Sequence, residues 1–143
     1  MFRNKTLVLI PFVILLMAGC SDDSPAPSST SAPKVLSEVE KVICGNSYKT
    51  WKFVAIYKNN ANVIRDCAVN DDWIFRYSRI LEIKNNGLSC DGQDAFQEHD
   101  WDISGDEKSI IIGASSFVIV KITSTEMQLQ ENVDGNPVFV FKR

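Results

Sequence analysis

From residue 48 to the end of the chain, apolar and polar residues alternate with a period of two, which is typical of strands that bury one face. In the first segment one face carries Trp51, Phe53, Ala55 and Tyr57. Further strand segments lie at residues 73–77, 80–84, 99–103 and 126–130, with β-branched runs at 109–113 and 117–123 and a last apolar segment at 138–141. No long helical pattern interrupts them, so we predict an all-β domain.

The links between these segments carry turn chemistry, in which Gly, Asn, Asp and Pro supply the backbone angles of tight connections. Clear examples are residues 85–87, 104–107 and 134–137. About eight antiparallel strands joined in this way can close on themselves, which removes the exposed edges of an open sheet. We therefore predict a small up-and-down antiparallel barrel, with a two-sheet sandwich as the alternative.

A short amphipathic segment precedes the strands. Its apolar residues recur at helical spacing, at Val35, Leu36, Val39, Val42 and Ile43. Ser37 and Glu40 have the spacing of a capping box, in which each side chain accepts a hydrogen bond from the other residue's backbone N–H. We predict a short N-terminal helix that lies across one end of the barrel.

The beginning of the chain has the pattern of an export signal. Arg3 and Lys5 precede an apolar run at residues 7–18, and the small residue Gly19 follows it. A basic start, a short apolar core and small residues at the cut are the marks of a secretory signal peptide. The run is shorter than the roughly 20 residues that a membrane-spanning helix needs, which argues against a transmembrane anchor.

Residues 16–20, Leu-Met-Ala-Gly-Cys, resemble the lipobox of bacterial lipoproteins, with Met17 at the place where leucine is usual. The resemblance implies a signal peptide at residues 1–19 and a mature chain that begins with an acylated Cys20. Ordinary secretion with cleavage is the alternative. Acyl chains on Cys20 would hold the protein to a membrane without a spanning helix.

A polar tether follows at residues 20–33, with five Ser and three Pro after the cysteine and no large apolar side chain. This composition cannot bury enough surface to offset the entropy of ordering, so we expect the folded domain to occupy residues 34–143. Asp22 and Asp23 resemble the surface-export signal of lipoproteins in Bacteroidetes-type bacteria. That resemblance implies the outer membrane of the cell envelope and exposure at the cell surface, whereas the alternative is a polar tether without a signal.

Charge and cysteine content narrow the class of protein further. The formal charge is −3, and removal of Arg3 and Lys5 with the signal peptide makes it −5. An acidic domain without a basic cluster is poorly suited to nucleic acid, whose phosphates require Lys and Arg. Of the four cysteines, three remain if Cys20 carries lipid. Because thiols tend to pair outside the cytoplasm, we expect one disulfide and one unpaired cysteine.

Several short sequence pieces occur in a characteristic order between residues 45 and 143, namely Trp51-Lys52, Cys67, Asp71-Asp72, Phe75, Gly87, Cys90, residues 101–103, Ile122-Thr123 and residues 127–129. In these pieces the chain resembles the lipocalin-like lipoproteins of Bacteroidetes-type bacteria. The Gly-x-Trp of typical lipocalins is absent, because Gly45 lies six residues before Trp51. The resemblance implies a lipocalin-like up-and-down barrel of about eight strands.

The resemblance also implies a disulfide between Cys67 and Cys90, which match the paired cysteines of the family. Closing that loop would stabilise the domain by roughly 3 kcal/mol. The alternative is a pair of buried free thiols. Cys44 is then the cysteine left over.

Two functions from different classes fit this barrel. The interior of an eight-stranded barrel is just wide enough for side chains or for one small ligand. In the first hypothesis the domain binds a small apolar ligand inside the barrel, through Trp51, Phe53, Phe75, His99 and Trp101. In the second the barrel is filled, and the domain is a surface interaction or inhibitor module that binds a protein partner through loops such as residues 58–72.

Nothing in the sequence selects a catalytic mechanism. It has no G-x-S-x-G motif, no Gly-rich phosphate loop and a single histidine, so we expect no enzyme and no cofactor. His99 itself is more typical of a structural residue near a strand end. Asp71 and Asp72 lack the glycine and the staggered oxygens of a calcium loop, and they are expected to cap a turn. We expect no metal site.

Overall fold

The structure, a computed structural model, describes residues 35–87, 90, 92 and 95–143. Helix α1 spans Glu38–Cys44 and a single turn of 3-10 helix spans Asp66–Ala68. The strands are β1 (Tyr48–Lys58), β2 (Ala61–Asn62), β3 (Asp72–Arg76), β4 (Ile80–Lys84), β5 (Phe96–Ile103), β6 (Ser109–Ile112), β7 (Ser115–Ile122), β8 (Glu126–Glu131) and β9 (Val138–Lys142). The predicted signal peptide, Cys20 and the tether lie outside the described residues.

Each long strand pairs antiparallel with the next along the chain, and β1 pairs with β9, so the sheet closes. Strand β2 has two residues and pairs only with the last residues of β1. The other eight strands form the barrel. The prediction of a lipocalin-like up-and-down barrel is confirmed, and the two-sheet sandwich is wrong because no edge is left open between β1 and β9.

The inward positions of the strands explain the closure, since they carry the large apolar side chains. Residues opposite each other in the register point to the same side of the sheet, as Trp51 and Trp73 do, and as Phe75 and Leu81 do. The buried inward residues are Trp51, Phe53, Phe75, Leu81, Trp101, Ile110, Ile112, Met127, Leu129 and Phe141. Their rings interlock, and Phe75 meets Trp101 edge-on at 5.4 Å between centroids.

A bulge in β1 changes which side chains enter the barrel. The pairing with β9 shifts between Phe53 and Ala55, so that Ile56 lies opposite the inward-facing Phe139. An extra residue in one strand moves the side chain of every later residue in that strand to the opposite face of the sheet. The prediction that Ala55 and Tyr57 share the face of Phe53 is therefore wrong, and Tyr57 is exposed.

Helix α1 covers the end of the barrel where β1 begins and β3 ends. The predicted capping box is present, with Ser37 Oγ accepting from Glu40 N–H at 3.2 Å and Glu40 Oε2 accepting from Ser37 N–H at 2.7 Å. The indole of Trp51 donates to the Ile43 carbonyl at 2.9 Å, which joins the last turn of the helix to the barrel interior. This end is therefore closed.

Candidate site at the mouth of the barrel

The opposite end of the barrel, where β1 ends and β5 begins, contains a cavity of about 300 Å³. This volume lies at the lower limit of the range for small-molecule sites, roughly 300–1,000 Å³. The lining residues come from four strands and from the connections between them. They are Phe53, Ala68, Asp71, Trp73, Ile83, Asn85, Gln97 and His99. The cavity is the candidate site, and we call it the mouth cavity.

One side of the mouth cavity is apolar. Trp73 and Ile83 lie opposite each other on β3 and β4, so both point inward. The ring of Phe53 lies 5.7 Å from that of Trp73. Trp73 also meets Phe141 edge-on at 4.9 Å, and Phe141 is buried. These contacts hold the wall in place and leave an aromatic surface for a ligand to pack against.

The facing side of the mouth cavity is polar. Gln97 and His99 alternate inward along β5, opposite Ile83 and Leu81 of β4. The turn between β6 and β7 passes close to the histidine, because a Cβ on Gly113 would lie 3.6 Å from His99 Nδ1. Gly113 has a φ of +56°, which favours glycine at this turn. The sequence predicted an inward His99, and the structure places it on the cavity wall.

Asp71 is the buried charge of the mouth cavity, with only 6 % of its surface exposed. Its backbone carbonyl accepts from Phe53 N–H at 3.0 Å, and its Oδ1 accepts from Asn86 N–H at 3.1 Å. Burial raises the pKa of the Asp71 carboxyl above its usual value, although the Asn86 hydrogen bond acts in the opposite direction. The residue therefore joins β1 to the β4–β5 connection rather than capping the turn before β3.

The neighbouring Asp72 behaves differently. It pairs with Lys52 across β1 and β3, with 2.6 Å between Oδ1 and Nζ, and it does not line the cavity. Burial alone would raise the pKa of Asp72, but the nearby Asn86 side chain and the Lys52 ammonium group outweigh burial and lower it. The pKa values of these adjacent aspartates are thus shifted in opposite directions, because Asp72 has a cation beside it whereas Asp71 faces the cavity.

A cover formed by residues 63–71 lies over this end of the barrel and contributes Ala68 to the cavity. A disulfide joins Cys67 in the cover to Cys90 in the β4–β5 connection, with 5.4 Å between the Cα atoms. The side-chain amide of Asn86 also donates to the Asn70 carbonyl at 2.9 Å. The disulfide that the family resemblance implied is confirmed, and it holds the cover in place.

The third cysteine of the described residues, Cys44, is the last residue of α1 and is completely buried. Burial is the main cause that raises the pKa of its thiol. Because the thiolate is the reactive form, this environment disfavours nucleophilic chemistry at Cys44.

The five residues predicted to bind a ligand do not lie together. Phe53 and His99 line the mouth cavity. Trp51, Phe75 and Trp101 are 0 %, 0 % and 2 % exposed and belong to the packed core nearer α1. Trp101 also borders a shallow depression of about 260 Å³, where the guanidinium of Arg79 lies 4.6 Å from its ring.

Sequence reasoning missed several members of the site, among them Ile83, Asn85, Gln97 and Ala68. Strand alternation could have identified Gln97, because it lies two residues before His99. The same alternation could have identified Asn85, which lies two residues after Ile83, whereas no local pattern identifies Ala68, which reaches the cavity from the 3-10 turn.

In the described part of the chain, no three His, Cys, Asp or Glu side chains come together as a metal site would require. Across those same residues, no helix is both long enough and apolar enough to span a membrane.

Comparisons with protein-family models, curated proteins and solved structures found no match to this chain.

Proposed function

We propose that this protein is a lipid-anchored, non-catalytic binding domain of the lipocalin-like lipoprotein type, which holds a small, mainly apolar ligand in the mouth cavity. The observation that carries the proposal is the cavity of about 300 Å³ walled by Phe53, Trp73 and Ile83. Apolar surface removed from water contributes roughly 25 cal/mol per Å². A ligand that covers these walls therefore gains affinity without any covalent chemistry.

The packed core limits the size of the ligand. Trp51, Phe75 and Trp101 fill the interior toward α1, so the ligand occupies only the end of the barrel away from α1. The cavity has the volume of about ten water molecules in the liquid. A single ring with a short side chain fits this volume better than a long acyl chain does.

The same proposal places the protein in the cell envelope, anchored to the outer membrane by acyl chains on Cys20 and exposed at the cell surface. The Cys67–Cys90 disulfide supports a location outside the cytoplasm, because disulfides persist in oxidising compartments. The lipobox-like residues 16–20 support the anchor.

Tryptophan fluorescence of the full-length protein tests ligand binding. Of the three tryptophans, Trp73 alone lines the mouth cavity, so a bound aromatic compound should change its emission. We expect saturable titration with phenylpropanol, and we expect the change to disappear in Trp73→Phe. Thermal unfolding measured in parallel should show stabilisation, which reaches about 2.7 kcal/mol at a ligand concentration of 100 Kd.

A blocking variant locates the site. Ala68→Phe adds a ring to the cover and should abolish binding by filling the cavity. Ala61→Phe makes the same change at an exposed position of β2 and is the matched control. Binding that survives Ala68→Phe, or no binding of any small apolar compound, would reject the mouth cavity as the site.

The second candidate function is binding of a protein partner. The packed interior at the α1 end of the barrel favours it. The segment at residues 58–72 carries the exposed Val63, and Tyr57 lies exposed directly before it. If these side chains contact a partner, then Tyr57→Ser with Val63→Ser should weaken cross-linking to that partner at the cell surface. The same pair should leave ligand titration unchanged, because neither residue lines the cavity.

A further inference from the structure

The geometry of the mouth cavity points to small apolar amines as the ligand class, with the ammonium group of the ligand paired to the carboxylate of Asp71. The cavity would accept neutral alcohols less well and would reject carboxylic acids. This inference rests on the proposed function, since it names the chemistry of the ligand that the same cavity would hold.

The first support is the position of Asp71. Its side chain lines the mouth cavity and is almost completely buried. Among the described residues, its carboxylate accepts a hydrogen bond from Asn86 N–H and takes part in no ion pair. A buried carboxylate is costly unless it is paired, and burial raises the pKa of this one. A ligand cation would supply the pairing that the described protein groups do not.

The second support is the balance of charge around the cavity. Of the lining residues that the structure describes, none is Lys or Arg. Lys52 on the neighbouring strand β1 lies opposite Asp72 in the register and forms an ion pair with it. A fatty acid or another carboxylate would bring a second negative charge next to Asp71, and no Lys or Arg among the described lining residues would receive it. Like charges in a site of low dielectric repel strongly, so anionic ligands are disfavoured.

The third support is the aromatic wall. Trp73 and Phe53 present rings to the same cavity as Asp71. The faces of aromatic rings attract cations within about 6 Å of the centroid, and tryptophan does so most strongly. The amide side chains of Gln97 and Asn85 also line the cavity, and their oxygens can accept hydrogen bonds from an ammonium group. Among the described lining residues, His99 is the one other titratable group.

Three compounds of matched size test the inference, namely phenylpropylamine, phenylpropanol and phenylpropanoate. Isothermal titration of the full-length protein at neutral pH should give the tightest dissociation constant for the amine. Because a hydrogen bond to a charged group is stronger than one between neutral groups, we expect the amine to bind roughly tenfold more tightly than the alcohol. The acid should bind most weakly of the three.

Two single substitutions locate the charge preference. Asp71→Asn keeps a side-chain oxygen for Asn86 N–H but removes the charge, so the amine and the alcohol should then bind within about twofold of each other. Asp66→Asn removes the charge of an exposed aspartate in the cover, which does not line the cavity, and should keep the amine preference. The thermal midpoint of each variant shows whether it is folded.

The possible outcomes separate this inference from the proposed function. If all three compounds bind, are blocked by Ala68→Phe and show equal affinity, the cavity is a ligand site and the amine preference is wrong. An acid that binds most tightly, or an amine preference that survives Asp71→Asn, also overturns the inference. If none of the compounds binds the wild-type protein, the inference and the ligand-binding function fail together. The comparison of the three compounds in the wild-type protein still tests the inference if a variant does not fold.

Discussion

The disulfide between Cys67 and Cys90 should contribute more to stability than any other single covalent feature of the described domain. Its cysteines are 23 residues apart in sequence. The chain-entropy relation for a loop of this length gives about 3 kcal/mol. For a domain of about this size, each kcal/mol corresponds to roughly 4 °C, so replacing both cysteines by alanine should lower the thermal midpoint by about 12 °C.

Thermal unfolding of the full-length protein, followed by circular dichroism with and without reductant, measures this effect. The double variant Cys67→Ala/Cys90→Ala should match the reduced wild-type protein and should not respond to reductant. Cys44→Ala is the matched control, because Cys44 is a free thiol and its removal leaves the loop closed. That variant should retain the full response to reductant.

The disulfide should also affect the candidate site, because it holds the cover that carries Ala68 and leads into Asp71. We expect the double variant to bind phenylpropanol more weakly than the wild-type protein at a temperature where both are folded. A midpoint that does not change in the double variant, together with two free thiols found by mass spectrometry in the wild-type protein, would refute this reasoning.

Two further predictions concern pH and location. Arg76 holds the pKa of the buried Glu82 below its ordinary value of 4.5, mainly through a hydrogen bond. Because the folded-state pKa is depressed, this stabilisation is present above the unfolded-state value and is lost as the pH falls through the folded-state value. Wild-type stability should therefore fall more steeply below pH 4.5 than that of Glu82→Gln, measured by urea unfolding across pH; parallel curves would contradict this. Cys20→Ser should move the protein from the membrane to the soluble fraction with its thermal midpoint unchanged, whereas a variant that stays with the membrane would argue against lipidation.

Local patterns were sufficient to predict α1 and the eight strands of the barrel, but they did not indicate β2 or the 3-10 turn. The capping box at Ser37 and Glu40 marked the beginning of α1, because capping depends on residues three apart. The alternation of His99, Trp101 and Ile103 predicted which side chains of β5 point inward, because strand facing has a period of two. The short turns between strands then predicted an antiparallel meander.

Local patterns did not predict the bulge in β1. Nothing in the sequence around Phe53 and Ala55 signals an extra residue, because the shift is set by the pairing of β1 with β9 at the other end of the chain. The facing of Tyr57 was therefore predicted wrongly, although the strand itself was predicted correctly. The inward Ile56 depends on the same pairing.

The amino-acid sequence by itself determined the turns, the helix cap and the faces of the strands up to the bulge in β1, since each depends on neighbours a few residues apart. Only the tertiary structure decided that Trp51, Phe75 and Trp101 fill one end of the barrel while a cavity beside Asp71 remains at the other. The free space inside a barrel is the difference between its internal volume and the summed volume of side chains from all eight strands. That difference depends on residues far apart in the chain, so no local pattern contains it.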